Sequence, residues 1–230
     1  MLVVVASRYD RHAQMLVSHH DEARLLTSED LSSRGWRFEL GGSRDSFAVI
    51  GGEVVNCRDV EGVLTRLPCV FAGDLLNIVP EDRGYVAAEM TAFLAAWLSN
   101  LKCPVLNRPT PLCLSGPFLR REKWVHTAAH LGIPVLPVNR HAPTSVDETA
   151  SPASPGLVSV SLVGDACVGQ ADERLASQTR TLARSVGVDL LRARFTSPAE
   201  GSLFVDADYW ADLSNPEIAA AILRYLRSGA

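Results

Sequence analysis

The chain has 230 residues, of which 47% are hydrophobic, and a formal net charge of -4 at pH 7. This length is enough for one substantial hydrophobic core or two smaller ones, and the acidic balance argues against the basic face of an electrostatic nucleic-acid binder. Arginine supplies nearly all the positive charge, because Lys102 and Lys123 are the only lysines. Any mechanism that needs a buried catalytic lysine is therefore restricted to these candidates.

The cysteines and the apolar segments predict a soluble, cytoplasmic protein. Five cysteines are scattered without a CxxC pair or a regular spacing, a pattern typical of reduced and mostly buried thiols. They are Cys57, Cys69, Cys103, Cys113 and Cys167. The opening MLVVVASRYD is too short an apolar run for a signal peptide, and no run reaches the length of a membrane span. We therefore predict neither a nucleic-acid nor a membrane partner.

The first quarter of the chain alternates apolar runs with polar segments. Residues 2–6 form a valine-rich run, which is typical of a strand covered on both faces, and a short polar helix is predicted over 10–20. Two further apolar runs, 36–40 and 46–55, flank a glycine-rich turn at 41–45. This arrangement predicts a hairpin or a pair of adjacent strands.

The next stretch continues the alternation of strands and helices. Residues 62–68 predict a strand that ends at a proline, and a long apolar helix is predicted over 85–101. A strand over 103–107, a helix over 116–131 and a strand over 133–138 follow. Strands that alternate with helices predict an α/β fold with an open, mainly parallel sheet flanked by helices.

The composition changes after this alternation and divides the chain. Residues 1–138 are predicted to form the α/β domain, and the proline-rich, apolar-poor stretch 139–156 is predicted to be a linker. Residues 157–230 then predict a smaller α+β lobe. Its last helix is expected to begin with Asn215 as N-cap and Pro216 at the first helical position.

A set of polar residues lies at strand ends or on the helix that faces them: Arg66, Glu89, Asn107 and Arg108. An open α/β sheet places its ligand crevice at this edge. One interpretation is a pocket for a carboxylate or a peptide, with arginine as a bidentate clamp. The other is a buried polar network that fixes the loop over 69–83.

Several motifs resemble those of the RimK-like ATP-grasp ligases, in particular the branch that modifies ribosomal peptides. In the first 138 residues the resemblance is carried by LTRLP, YVAAEMTAFL, CPVLNRP and KWVHTAAHLGIPVLP, in the order and spacing of the N-terminal (pre-ATP-grasp) domain. In the tail, SLVGDACVGQ, LASQTRTLARSVGVDLLRARF and GSLFVDADYWADLSNPEIAAAILRYL resemble the end of that family. The resemblance implies a pre-ATP-grasp-like domain followed by a truncated C-terminal lobe.

The departures from that family concern the nucleotide site. Between Pro137 and Val158 the family would have a large ATP-clasping lobe, and no strand here carries the lysine that holds the nucleotide phosphates. The family's metal-binding acid and asparagine correspond to Asp206 and Asp208, which point to one face of a strand. These two carboxylates could bind a hard divalent cation or be hydrogen-bonded structural groups.

A second possible metal pair lies on a predicted helix. His126 and His130 are four residues apart and so share a helix face. No glutamate follows the first histidine and no third ligand is evident, so the zinc-protease motif is absent. We interpret both as helix-surface residues.

The departures predict a degenerate ATP-grasp-like protein, a pseudoenzyme without ligase activity of its own. It is expected to bind a peptide or amino-acid substrate, or to pair with an intact ATP-grasp ligase, and to need no cofactor. One alternative is an active ATP-dependent carboxylate–amine ligase that uses ATP and Mg²⁺, either compact or completed by another subunit of a homo-oligomer. The other alternative is an α/β scaffold that acts only by association.

Overall fold

The computed structural model describes residues 1–39, 46–138, 157–169 and 172–228. The predicted turn at 41–45 and the predicted linker at 139–156 lie outside this part of the chain. The chain forms two compact units, of which the first comprises Met1–Phe118 with Tyr209–Ala230 and the second Leu119–Asp208. This division differs from the predicted boundaries, because residues 209–230 belong with the first unit although they follow the second in sequence.

Nine regular elements build the main part of the first unit in chain order: β1 (Leu2–Val5), α1 (Arg11–Ser18), β2 (Ala23–Leu26), α2 (Ser28–Leu31), β3 (Phe47–Ile50), β4 (Glu53–Asn56), β5 (Gly62–Thr65), α3 (Arg83–Asn100) and β6 (Val105–Leu106). The second unit contains α4 (Arg121–His130), β7 (Val158–Val163), β8 (Ala166–Val168), α5 (Glu173–Val186), β9 (Leu190–Phe195) and β10 (Phe204–Asp208). Helix α6 (Pro216–Ser228) then completes the first unit. No helix within the described ranges is long and apolar enough to span a membrane.

The first unit is organised around a four-stranded parallel sheet with the order β2-β1-β5-β6. All four residues of β1 are buried, as the valine-rich run predicted. A parallel strand buried on both faces has no need of alternating polar residues. The mixed α/β architecture with a parallel sheet flanked by helices confirms the predicted fold class.

The predicted run 46–55 contains a hairpin of its own. Strands β3 and β4 pair antiparallel around Gly51 and Gly52, both of which have a positive φ, at 61° and 80°. Glycine adopts this backbone region without the steric cost that other residues meet. Arg37, in the predicted run 36–40, forms an isolated antiparallel bridge to Phe47 of β3. The turn at 41–45 stays a prediction, because it lies outside the described residues.

Helix α3 forms a large part of the core beside the parallel sheet. Its buried face carries Ala87, Leu94, Trp97 and Leu98. Trp36 packs edge-on against Trp97, with ring centroids 5.6 Å apart. Edge-to-face contact is a favoured arrangement of aromatic rings, so this pair fixes the segment before β3 against the helix.

Helix α6 packs closely on β5, with the backbone of Leu226 against Gly62. A Cβ added at Gly62 would lie 2.7 Å from both the Cβ and the carbonyl oxygen of Leu226. Only glycine fits this contact. The helix begins as predicted, because the Oδ1 of Asn215 accepts a 2.9 Å hydrogen bond from the amide of Glu217, and Pro216 is the first helical residue.

The second unit contains an antiparallel sheet with the order β10-β9-β7-β8. Helix α5 is capped by Asp172, whose Oδ1 accepts from the amide of Leu175 at 2.9 Å, and it ends at Gly187 in the left-handed conformation. Buried residues of α5, among them Leu175 and Leu182, recur at helical spacing and belong to the core of this unit.

Two predicted elements before this sheet differ from the structure. The helix predicted from residue 116 begins at Arg121, because Gly116 has a φ of 119° and Pro117 follows it. The strand predicted over 133–138 does not join the parallel sheet. Instead Val135 forms a single parallel bridge to Phe204 of β10.

Candidate functional site

The carboxyl ends of β1 and β5 lie side by side in the first unit and place Asp10 and Arg66 near each other. Strand β2 lies on one side of β1, while β5 and β6 lie on the other, so the strand order reverses between β1 and β5. Open α/β sheets bind their ligands outside the carboxyl ends of the strands at such a reversal. The topology alone therefore marks the Asp10–Arg66 edge as a candidate site.

Asp10 fixes the geometry at this edge because it has two partners. Its Oδ1 accepts a 3.0 Å hydrogen bond from the amide of Ala13, which caps the N-terminus of α1. Its Oδ2 accepts a 2.7 Å hydrogen bond from the Nε of Arg66. The carboxylate is thus held by the helix it caps and cannot turn away from the arginine without exposing that helix end.

Arg66 is the most buried charged residue of this edge, with only 3% of its side chain exposed. Its Nη1 donates to the carbonyl oxygen of Ala211 at 2.8 Å, and its guanidinium lies 4.3 Å from the ring centroid of Trp210. A cation over an indole face is stabilised by the ring quadrupole. The charge is therefore compensated by a carboxylate, a carbonyl and an aromatic face.

Two buried polar groups at this edge have no hydrogen-bond partner in the described part of the chain. They are the Nη2 of Arg66 and the Oγ1 of Thr65, the last residue of β5. Buried polar groups are almost always hydrogen-bonded, because each unmet one costs about 1–3 kcal/mol. The unmet Nη2 donor of Arg66 is a group that a carboxylate ligand would satisfy.

Asn107 lies at the same edge, directly after β6, and is also buried. Its Nδ2 donates to the carbonyl oxygen of Ser115 at 3.4 Å. A Cβ at Gly116 would meet the Cβ of Asn107 at 3.1 Å and the ring of Tyr209 at 3.6 Å, so all three pack together. Burial raises the pKa of the Tyr209 phenol, and the Cys113 thiol raises it further, which keeps the hydroxyl neutral.

The other predicted residues of this set have different surroundings. Arg108 donates from Nη1 to the carbonyl oxygens of Leu98 and Leu101, at 3.1 and 2.9 Å, and from Nη2 to that of Cys103 at 2.8 Å. It therefore caps the C-terminal end of α3. Glu89 lies exposed on α3. The structure thus places Arg66 and Asn107 at one edge of the sheet, whereas the guanidinium of Arg108 is bonded to the end of α3.

The predicted metal pair of the second unit forms an ionic network with two arginines. Asp206 Oδ1 accepts from the Nε of Arg194 at 2.5 Å. Asp208 Oδ2 accepts from Arg192 Nη2 at 2.7 Å and from Arg194 Nη1 at 2.9 Å. All four lie on one face because the antiparallel register pairs Asp206 with Arg194 and Asp208 with Arg192. Hydrogen bonding to Asp206 raises the pKa of Arg194, which keeps that guanidinium charged.

Groups that could hold a metal ion are absent from the described residues, where no three His, Cys, Asp or Glu side chains cluster. His126 and His130 are neighbours on α4, with ring centroids 4.1 Å apart. The Nδ1 of His130 lies 3.1 Å from the carbonyl oxygen of His126. This contact is local to the helix surface.

Sequence reasoning missed three residues of the Arg66 edge: Asp10, Thr65 and Trp210. The position of Asp10 could have been predicted from the sequence, since an acidic N-cap after a buried strand places a carboxylate at the sheet edge. The position of Trp210 could not have been predicted, because it is far from Arg66 in sequence and contacts it only through the return of the chain to the first unit.

No protein-family model matches the sequence, and no curated protein matches it either. Solved structures do match. The macrocyclase MdnC of Microcystis aeruginosa MRC, solved with precursor peptide MdnA, is similar with a TM-score of 0.64 at 12% identity, over 98% of this chain and 99% of that one. The fold of this chain is similar to that of the macrocyclase.

Two further structures with a similar fold are ATP-grasp ligases. The ATP-grasp ligase PsnB with a minimal precursor has a TM-score of 0.64 at 14% identity, over 98% of this chain and 97% of that one. A RiPP-associated ATP-grasp ligase of Chryseobacterium gregarium, in complex with ADP and a leader and core peptide, has a TM-score of 0.63 at 9% identity. That match covers 100% of this chain and 97% of the other. At these identities the likeness concerns the fold.

Proposed function

We propose that this chain is an ATP-grasp-like protein that takes part in peptide modification without ligase activity of its own. In this proposal it binds a peptide or amino-acid substrate, or pairs with an intact ATP-grasp ligase. The observation that carries the proposal is the ionic network of β9 and β10. Both candidate metal ligands, Asp206 and Asp208, have an oxygen within hydrogen-bond distance of an arginine.

The ionic network supports the absence of a resident Mg²⁺ at this position. A divalent cation needs carboxylate oxygens free to face it, whereas Arg192 and Arg194 already neutralise the two carboxylates by charge-assisted hydrogen bonds. The missing lysine supports the same conclusion. Lys102 follows α3 and Lys123 lies within α4, so neither is available on a strand to hold nucleotide phosphates.

A peptide substrate is supported by the similar structures and by the Arg66 edge. MdnC and PsnB were solved with a precursor, and the Chryseobacterium ligase with a leader and core peptide. In this chain we propose that Arg66 and Asn107 contact a substrate carboxylate or amide, since Arg66 keeps an unmet buried donor. Glu89 and Arg108, the other residues of the predicted substrate site, remain predictions.

One set of observations favours the alternative of a working ligase. The matches extend over nearly the whole length of the similar chains, and PsnB was also solved with Mg and ADP. In that alternative, Asp206 and Asp208 would hold the metal, and Arg192 and Arg194 would turn toward the phosphates. The third possibility, a scaffold that acts by association in a homo-oligomer, predicts no response to any small ligand.

Thermal unfolding with and without ATP and Mg²⁺ tests the proposal. A ligand that binds only the folded state raises Tm, so we expect no nucleotide-dependent shift for the unaltered chain. The matched variants are Asp206→Asn, which alters the candidate metal pair, and Asp165→Asn, which alters a carboxylate that is 99% exposed in the same unit. A rise in Tm that Asp206→Asn abolishes and Asp165→Asn retains would overturn the proposal and favour the working ligase.

A further inference from the structure

The first unit contains a cavity of about 320 Å³ between the β3–β4 hairpin and the C-terminal end of α3. Its apolar part is formed by Val60, Trp97 and Leu101, all of them buried. Pockets that bind small ligands have volumes of roughly 300–1,000 Å³ and mostly apolar linings with a few polar groups. The cavity therefore has the size and composition of a small-ligand site.

Two cations lie at the rim of this cavity without a carboxylate to balance them. Arg58 and Lys102 both line the cavity and are exposed. Neither forms an ion pair with any residue in the described ranges, whereas Arg66 is bonded to a carboxylate and a carbonyl and Arg108 to carbonyl oxygens. The rim is therefore electropositive, and it favours a ligand with a negative end.

The cavity wall adds a buried hydroxyl that lacks a partner. The Oγ of Ser46 is buried and has no hydrogen-bond partner within the described part of the chain. It can donate to an oxygen of a ligand. This unmet group is an observation independent of the two cations, and a bound carboxylate oxygen would remove the cost of leaving it unpaired.

The two thiols in the wall contribute no charge. Trp97 Nε1 donates to the Sγ of Cys57 at 3.4 Å, and Cys103 lines the cavity nearby. Burial raises the pKa of each thiol, so both remain protonated at neutral pH. The charge of the cavity is consequently that of Arg58 and Lys102, over an apolar and thiol-lined interior.

We propose that this cavity binds an amphiphilic carboxylate, with an aromatic or branched apolar group on Val60, Trp97 and Leu101 and the carboxylate at Arg58, Lys102 and Ser46. The same chemistry is presented by a free aromatic acid and by the C-terminal residue of a peptide. All residues of the site belong to the first unit. The inference is independent of the proposed function, because it invokes neither nucleotide nor the Arg66 edge.

Isothermal titration calorimetry with three probes tests this site. The probes are 3-phenylpropionate, N-acetyl-L-phenylalanine and the uncharged N-acetyl-L-phenylalaninamide. We expect at least one carboxylate to bind saturably, and the amide to bind at least about tenfold more weakly, as a charge-assisted hydrogen bond is lost. Equal binding of both carboxylates assigns the site to small acids, and preference for the N-acetyl compound assigns it to peptide C-termini.

Variants locate the binding within the cavity. Arg58→Gln and Lys102→Gln should each weaken carboxylate binding by about fivefold, as expected for an exposed charge pair, and Ser46→Ala by a similar factor of about five through loss of a donor. The control is Arg34→Gln, which removes an exposed arginine of the same unit that does not line the cavity. Absence of saturable carboxylate binding, equal binding of the amide, or an equal effect of Arg34→Gln overturns the proposal.

Discussion

The Arg66–Asp10 pair of the first unit and the arginine–aspartate network of β9 and β10 in the second unit differ in burial and in completeness. In the first unit Arg66 and Asp10 are 3% and 10% exposed, and the arginine retains an unmet Nη2. In the second unit the arginines and aspartates of β9 and β10 are 20–29% exposed and form three contacts among four side chains. The first group is a single buried pair, and the second is a partly solvated and balanced network.

This difference matters because burial decides the cost of breaking an ion pair. Removal of one partner of a buried pair leaves an uncompensated charge in a low-dielectric interior, whereas water and salt replace much of the attraction at the surface. The ion pair of Arg66 is therefore expected to be needed for stability, and its Nη2 is still available to donate to a ligand. Loss of one ion pair from the network of the second unit is expected to lower the free energy of unfolding by less.

The largest expected effect is at Asp10. Asp10→Ala leaves the buried Arg66 charge without its carboxylate and also removes the cap of α1. We expect the free energy of unfolding, measured by urea denaturation, to fall by about 3–5 kcal/mol. Asp10→Asn separates the two contributions, because asparagine caps a helix as well as aspartate does and removes only the charge.

The matched control for this prediction is Asp21→Ala in the same unit. Asp21 is exposed, and we expect its removal to change the free energy of unfolding by less than about 0.5 kcal/mol. A loss below about 1 kcal/mol for Asp10→Ala would mean that the buried pair contributes no more than a surface pair does. The contrast between the two units would then fail.

A smaller effect is expected at Arg194, which contacts both aspartates of β10. Arg194→Ala should lower the free energy of unfolding by about 1 kcal/mol at low salt, and by less at 1 M NaCl because salt screens a partly exposed network. Arg184→Ala is the control, since that side chain is 73% exposed and lies 4.0 Å from Asp165. If high salt leaves the loss at Arg194 unchanged, the network behaves as a buried one.

The smallest effect is expected at Glu89. This residue lies exposed on α3, so Glu89→Gln should change the free energy of unfolding by less than about 0.5 kcal/mol. The variant therefore separates the two interpretations of the predicted residue set. A stability loss above about 1 kcal/mol, by the same urea measurement, would favour a structural network that includes this helix and would count against a solvent-facing role.

Much of the fold could be predicted because its signals are local in sequence. The buried valine run of β1 and the Asn215–Pro216 start of α6 each depend on a few adjacent residues, and both are confirmed. The hairpin within the run 46–55 was not predicted, because only the backbone shows that Gly51 and Gly52 form a turn there. The strand expected at 133–138 failed because its partner, Phe204, lies far along the chain.

The candidate site could be predicted only in part, since its contacts join distant segments. Arg66 and Asn107 follow from a rule about strand ends. The partners of Arg66 do not, because Asp10 precedes it by 56 residues and Ala211 follows it by 145. The three carbonyl acceptors of Arg108 at the end of α3 were not predictable for the same reason, as they follow from tertiary geometry.

The return of α6 to β5 has a consequence for the order in which the protein is made. The second unit is an insertion in the sequence of the first, so the ribosome completes it before the residues that pack on Gly62 exist. Until then the apolar surface of β5 that meets Leu226 is exposed. Domains fold as units during synthesis, and exposed apolar surface favours aggregation. The first unit is thus completed only after the second has been synthesised.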